Sequence, residues 1–409
     1  MSGRYIGSER MKIETQIEFS DYTENLRALG EYKGQDVIID GIIPGETAEV
    51  TLTDKIDDVY YGKLKKIVKA SRYREKPICP YYDSCGNCSL SHVSYQARLD
   101  SKADALKKRL EFAGESVKIE PVEKVFFPYK YRNHISLFFS HKKDAVTLGY
   151  KDPRTGLVSD IDSCAVCDKW ASVLIKTVKT FAGKFKIKSF SPITGEGKLV
   201  SLNAVYIDGR LILTIECAGE SLMGSAWLHK ELCSVFGKVN FYTAYRSDAG
   251  MQYNLIGGDR KASVRFCGKQ IPVRPNMRLP VNDKLFSKAF RTIEDRIREE
   301  YTLVSGDCSA VITDLLSDNE NVFIKKGSSM PVKKPLQGFM EIKDLFSDNQ
   351  RRFLKTFRTK KLVVLVNDCD GIEDTVRALL GEKYGRVTVL PFDMQPQTKK
   401  LSALLFCET

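Results

Sequence analysis

The chain has 409 residues, of which 43% are hydrophobic, and a formal net charge of +12. That much apolar material supplies two or three cores and excludes a disordered tail, and no apolar run approaches the ~18 residues that cross a bilayer. Residues 61–160 hold 20 Lys and Arg against 11 Asp and Glu, a concentration that suits phosphate neutralisation and equally suits a solvated lysine-rich surface. The opening MSGRYIGSERMKIETQ contains no apolar signal segment, so a cytoplasmic monomer with no membrane partner is expected. Eleven cysteines, irregularly spaced outside one cluster, read as reduced thiols plus a metal site and not as a disulfide framework.

In chain order, residues 37–69 come first. VIID, AEVTLTD and YYGKLKKIV alternate around the turn Ile43–Glu46, the pattern of a small β-barrel. Its last strand runs into Lys63, Lys65, Lys66, Lys69, Arg72, Arg74 and Lys76, with Tyr60, Tyr61 and Tyr73 interleaved. Cations following a backbone and aromatics stacking on bases would suit RNA, although strand tyrosines are more often packing residues.

Cys79, Cys85 and Cys88 follow with the spacing C-x5-C-x2-C, punctuated by Pro80 and Gly86. Turns of this kind let three sulfurs aim at one point, and Cys164 or Cys167 offers a fourth ligand. Zinc usually takes paired short knuckles, whereas an iron–sulfur cluster takes a compact triplet plus a remote thiolate; spacing gives the cluster a slight edge. His92 reads as a packing or hydrogen-bonding residue. Cys217, Cys233, Cys267, Cys308 and Cys407 read as small core side chains.

Leu99, Ala103, Leu106 and Leu110 mark a helix ending by Gly114. Strands are expected from Tyr129 to Tyr150, with Arg132 and Asn133 at their start, and a hairpin at Asp208-Gly209. A helix capped at Asn282 carries Leu285, Phe286, Phe290, Ile293 and Ile297 on one face. KKLVVLVN, GIEDTVRALLG, RVTVLPF and KKLSALLFCE then form a strand–helix–strand–strand α/β unit.

Taken together, the IPGE barrel, CPYYDSCGNCSLSHVSYQARLDSK, the YRN at Tyr131–Asn133, LGYKDPRTGLVSDIDSC and PFDMQPQTKKLS resemble the RNA uracil-C5-methyltransferases of the TrmA and RlmD group. The resemblance covers residues 35–170 well, 171–290 less, and returns in the last fifty. It implies an α/β multidomain fold: a TRAM (OB-like) barrel over 1–70, a central α+β iron–sulfur and RNA-binding region over 71–275, and a reduced Rossmann-like methyltransferase domain over 276–409. It also implies a [4Fe-4S] cluster on Cys79, Cys85, Cys88 and Cys164, and contacts to structured rRNA or tRNA from Lys63, Lys65, Lys66, Arg72, Arg74, Arg132 and Asn133.

The reaction of that family needs a cysteine thiolate that adds to uracil C6 and a carboxylate that removes the C5 proton. Laid on LVVLVNDCDG, the nucleophile position falls on Asn367, with Cys369 two residues on; the base positions fall on Lys400 and Ser402, and the glutamine of the F-x-Q-x-N approach appears as Pro280. LVSGDCSAVITDL keeps one glycine where S-adenosylmethionine would need a glycine-rich turn. The expectation is therefore an RNA-binding iron–sulfur member of the family that lacks catalytic activity. A divergent active methyltransferase using Cys369 is the alternative, and an iron–sulfur redox protein the second.

Overall fold

The computed structural model of the protein describes residues 9–142, 145–298, 300–325, 329, 331, 333–343, 347–357, 359–382 and 384–409. The first elements are β1 (Glu9–Tyr22), β2 (Ala28–Tyr32), β3 (Gln35–Ile39), β4 (Thr47–Ile56), β5 (Val59–Lys69), α1 (Tyr82–Cys85), α2 (Tyr95–Leu110) and β6 (Val117–Ile119). Next come β7 (His134–Lys142), β8 (Ala145–Lys151), β9 (Val158–Asp160), α3 (Lys169–Lys184), β10 (Leu199–Ile207), β11 (Arg210–Cys217), α4 (Ser225–Phe236), β12 (Lys238–Ser247) and β13 (Gly250–Gly257). The rest are β14 (Ser263–Phe266), β15 (Lys269–Pro272), α5 (Asp283–Arg298), β16 (Thr302–Val304), α6 (Ala310–Leu316), β17 (Val322–Ile324) and β18 (Gln337–Ile342). The chain closes with α7 (Asp348–Phe357), β19 (Lys361–Val366), α8 (Ile372–Gly381), β20 (Arg386–Phe392) and β21 (Ser402–Glu408). Among the described residues no helix is long and apolar enough to cross a membrane; the expected absence of a leader falls partly on residues 1–8, outside the described set.

Two compact units emerge, one of Met1–Ile78, Cys88–Lys124 and Glu341–Thr409, the other of Cys79–Asn87 and Val125–Met340. In the first, β1-β2-β3-β5-β4 close into a five-stranded barrel. Alternation drives the closure: Ile17, Phe19, Val37, Ile39, Ala48, Val50 and Leu52 point inward and pack into one core, while polar neighbours face water. The barrel is larger than residues 37–69 suggested, because β1 and β2 precede them; the alternating Ile13, Ile17 and Phe19 of β1 were a legible strand signal. The turn Ile43–Glu46 buries Glu46, whose carboxylate accepts from Ile43 N (2.9 Å), Ser71 N (3.1 Å) and both Nε and a terminal nitrogen of Arg74 (each 2.6 Å). Burial alone would raise this carboxyl, but the Arg74 and backbone hydrogen bonds outweigh it and hold it below its usual value.

The same unit contains the sheet segment β19-β21-β20-β6. β21 runs antiparallel between β19 and β20, and β6, from far upstream in the chain, pairs in parallel with β20. The three C-terminal strands and α8 lie where the hydrophobic pattern put them; β6 gave no pattern of its own.

In the second unit a seven-stranded sheet runs β13-β12-β11-β10-β7-β8-β9. Asp208 and Gly209 both have positive φ (52° and 68°), as the tight β10–β11 turn requires. Helices α3 and α4 cover one sheet face through Trp170 and Phe236 on Tyr206, and they meet each other through Phe181 and Phe185 on Trp227. The α5 helix begins as expected, Asn282 Oδ1 accepting from Leu285 N (3.1 Å), and buries Leu285, Phe286, Phe290, Ile293 and Ile297. Beyond it β16 pairs in parallel with β17 and with β18.

Candidate functional site

The cysteine loop is built from Cys79 through the single turn α1 to Gly86, which ends that turn in the left-handed conformation (φ 69°). A Cβ at Gly86 would lie 2.8 Å from Asp152 Oδ1, so glycine is required on both counts. The loop is stitched to the segment that leads to Cys164. Asp162 N donates to Tyr81 Oη (3.1 Å), Ser159 Oγ to Ser84 Oγ (2.9 Å), Asn87 Nδ2 to Lys151 O (3.4 Å), and Arg154 to Asp83 O.

These contacts bring Cys79, Cys85 and Cys164 into each other's field. Burial pushes the Cys79 thiol up, backbone N–H groups of Tyr81 and Ala165 oppose it, and Cys164 and Cys85 add to the rise. Cys164 is lowered to about 6 by a hydrogen bond with Cys167, against its burial and with help from the Val166 N–H and Arg132. Cys167, the alternative fourth ligand of the sequence reading, is the thiol in contact with Cys164, and it is buried. Cys88 follows three residues after Cys85 and is half-buried, its carbonyl accepting from Ser91 N (3.1 Å). Among the described residues no three His, Cys, Asp or Glu side chains are gathered as a metal site.

The C-terminal positions form a second constellation, within the first unit. Asn367 donates through Nδ2 to Glu341 Oε1 (2.8 Å) and through its backbone N to Ile342 O (2.9 Å), and its carbonyl accepts from Ser402 Oγ (2.7 Å). Both residues therefore brace the ends of β19 and β21. Cys369 is buried, and burial, reinforced by the adjacent Asp368 carboxylate, pushes its thiol far above the usual range. Lys400 Nζ pairs with Asp368 (2.7 Å). A cleft of about 220 Å³ reaches Cys369 and is walled by Leu26, Leu106, Arg109 and Lys399.

PFDMQPQTKKLS is anchored from below by α2. Arg98 donates to Gln397 Oε1 (2.6 Å) and Pro396 O (3.0 Å), and Ser91 Oγ also reaches Gln397 Oε1 (2.7 Å). Lys102 Nζ pairs with Asp393 Oδ1 (2.7 Å), both side chains fully buried, and donates to Gln395 O and Lys400 O. Burial holds this ammonium below its usual pKa despite Asp393. The sequence reading missed Arg98, Lys102, Asp393 and Gln397. The available signal was Lys102, a charge set between Leu99 and Leu106 on the apolar face of α2.

At the end of β16 the loop Ser305–Ser309 keeps its single glycine, and a Cβ on Gly306 would lie 2.4 Å from Lys325 O. The glycine thus admits the carbonyl that follows β17. Doubly wound folds place an acid about 20 residues after that turn to bind ribose hydroxyls; Lys325 occupies the end of β17 here. The seven-residue α6 is capped by Ser309. Among the described residues this turn offers one glycine and no carboxylate at the end of β17.

Of the expected RNA contacts, Lys63, Lys65 and Lys66 are exposed along β5, Lys65 paired with Glu14 (2.8 Å), and exposed Arg72 lies over the Tyr73 ring (4.7 Å). Three others are engaged within the protein. Arg74 is committed to Glu46 and to Gly41 O. Arg132 turns inward, its Nε donating to His134 O (3.0 Å) and its guanidinium facing Tyr150. Asn133 is buried and donates to Pro280 O (3.0 Å). His92 is buried and neutral, lowered to about 4 by its burial and by nearby Arg74, in keeping with a packing role.

No family profile matches the chain. It is 30% identical over 273 residues to the 23S rRNA (uracil(1939)-C(5))-methyltransferase RlmD of Vibrio parahaemolyticus, covering 65% of this chain and 59% of that one. The RlmD of Shewanella amazonensis is 32% identical over 180 residues (43% and 40%). An uncharacterized RNA methyltransferase of Clostridium tetani is 29% identical over 190 (46% and 41%). The chain thus spans between 40% and 59% of the length of these relatives. The crystal structure of Pyrococcus abyssi tRNA (uracil-54, C5)-methyltransferase with S-adenosyl-L-homocysteine shares the fold, with a TM-score of 0.70 over 96% of this chain and 99% of that one at 17% identity.

Proposed function

Since the chain belongs to the TrmA/RlmD-like family of RNA uracil-C5-methyltransferases, we propose that it is a member that binds rRNA or tRNA without transferring a methyl group. We propose further that Cys79, Cys85, Cys88 and Cys164 hold a [4Fe-4S] cluster. One observation carries the first reading: the residue at the nucleophile position, Asn367, is an amide locked onto Glu341, and an amide cannot add to uracil C6. Ser402 at the base position has no carboxylate, and its hydroxyl is spent on Asn367 O. Gly306 as the single glycine of its turn and Lys325 at the end of β17 support the same reading. The cluster is supported by the stitched loop that sets Cys79 and Cys85 beside Cys164; when bound it would tie two stretches of chain together, and its thiolate ligands would be deprotonated.

Anaerobic purification, with an absorption spectrum, an RNA titration and an S-adenosylmethionine titration on one sample, tests both halves. The expected results are brown colour, salt-sensitive RNA binding and no cofactor binding. The reading is overturned by cofactor binding accompanied by a covalent adduct with 5-fluorouracil-containing RNA. The cleft at Cys369 favours that second reading, a divergent active enzyme, and it predicts that the adduct disappears in Cys369→Ala.

A further inference from the structure

The seven-stranded sheet has one face under α3 and α4. Its other face carries Ser136 and Phe138 of β7, Ser201 and Asn203 of β10, Thr214 and Glu216 of β11, Ala244 and Arg246 of β12, and Met251 and Tyr253 of β13, as the cross-strand pairs require. A groove of about 200 Å³ opens there, rimmed by Tyr253 and Arg278. Small-molecule pockets run from roughly 300 to 1,000 Å³, so this one admits a single planar ring and not a whole cofactor.

We propose that this groove holds one nucleotide of a single-stranded RNA segment, the base against Tyr253 and the phosphate between Arg278 and Lys151. The proposal rests on the RNA-binding reading above and extends it to a surface outside the barrel, the cysteine loop and the C-terminal constellation. Charge complementarity identifies the occupant. Arg278, Arg246 and Lys151 are exposed and have no carboxylate partner among the described residues, and Lys151 is held over the Phe138 ring at 4.1 Å. The one carboxylate of the groove, Glu216, is engaged by Ser201 Oγ (2.8 Å). Tyr253 keeps 38% of its surface exposed on the terminal strand of the sheet, an aromatic face for stacking that tolerates any base. Below it the floor is set: Asn203 accepts from Ser136 Oγ (2.9 Å), contacts His134 Nε2 (2.9 Å) and donates to Met277 O (3.1 Å). A protein partner would instead find charge at the centre of its interface, where charged residues are depleted.

The test uses the full chain and a labelled single-stranded RNA 12-mer at low salt. Tyr253→Ala should bind about tenfold more weakly and Tyr253→Phe like the parent. Arg278→Ala should reduce the slope of log affinity against log salt by roughly 0.7, whereas Lys176→Ala, on the outer side of α3, should leave it unchanged. On the unmutated chain, 4-thiouridine in the RNA should photocross-link to peptides of β7, β10 or β13, which keeps the test independent of variant folding. RNA binding by the parent with unchanged Tyr253→Ala affinity, or cross-links confined to the barrel, overturns this inference alone. No RNA binding by the parent overturns the RNA-binding reading with it.

Discussion

Replacing Lys102 by Met isolates the fully buried ion pair that ties the C-terminal strap to α2. Met keeps most of the aliphatic stem but removes the ammonium, leaving the Asp393 carboxylate buried with neither oxygen satisfied, since Oδ2 already has no hydrogen-bond partner among the described residues. Breaking one side of a buried pair costs about 3–5 kcal/mol, because the remaining charge has lost its compensation. Two carbonyls, Gln395 O and Lys400 O, lose a donor as well, which places the loss toward the upper end. Asp393→Leu should cost a similar amount by stranding the ammonium. The double variant Lys102→Met/Asp393→Leu removes both charges and should return to within about 2 kcal/mol of the parent, because hydrophobic replacement of a buried pair is often neutral or better. Hydrogen exchange of the amides from Asp393 to Ser402, with urea unfolding of each variant, reads the coupling. Additive single losses, or a Lys102→Met change below ~0.5 kcal/mol, would refute the reasoning, since either result requires the pair to be solvated or redundant.

The pH dependence of the barrel follows from Glu46, whose folded carboxyl is lowered. Its contribution is complete above the unfolded carboxylate value of about 4.3 and is lost as pH falls through the lower folded value, so Glu46→Gln should flatten the acid limb of the unfolding profile while reducing stability at pH 7. Cys369, buried and protonated, should resist iodoacetamide in the native protein and react only after denaturation, as mass spectrometry of the modified peptide would show; rapid native labelling contradicts the burial. For the proposed cluster, Cys164→Ala should lose anaerobic absorbance near the visible shoulder while Cys167→Ala retains it, and the reverse result would reassign the fourth ligand. Gly86→Ala should impair assembly of the cysteine loop, since its Cβ would meet Asp152 at 2.8 Å; a circular-dichroism melt and the iron content of the same sample measure it.

Local sequence carried much of this protein, because alternation and helical periodicity are properties of neighbouring residues. The barrel strands from Gln35 to Lys69, the hairpin at Asp208-Gly209, the Asn282 cap and the strands β19, β20 and β21 with α8 all follow from patterns a few residues long. So did the residue types that the resemblance lays on the family's catalytic positions, Asn367 and Ser402, since a residue's type is legible wherever it lies. Tertiary structure decided what depends on partners distant in the chain. Arg74 looks like one more cation in a basic run until Glu46 turns inward to meet it. Lys102 finds Asp393 across some 290 positions, and Cys164 comes beside the loop of Cys79 only when α1 packs against β8 and β9. A side chain's residue type states what it can bond, but burial and the identity of its partner decide whether it faces solvent or core, and those arise from packing that no local pattern encodes.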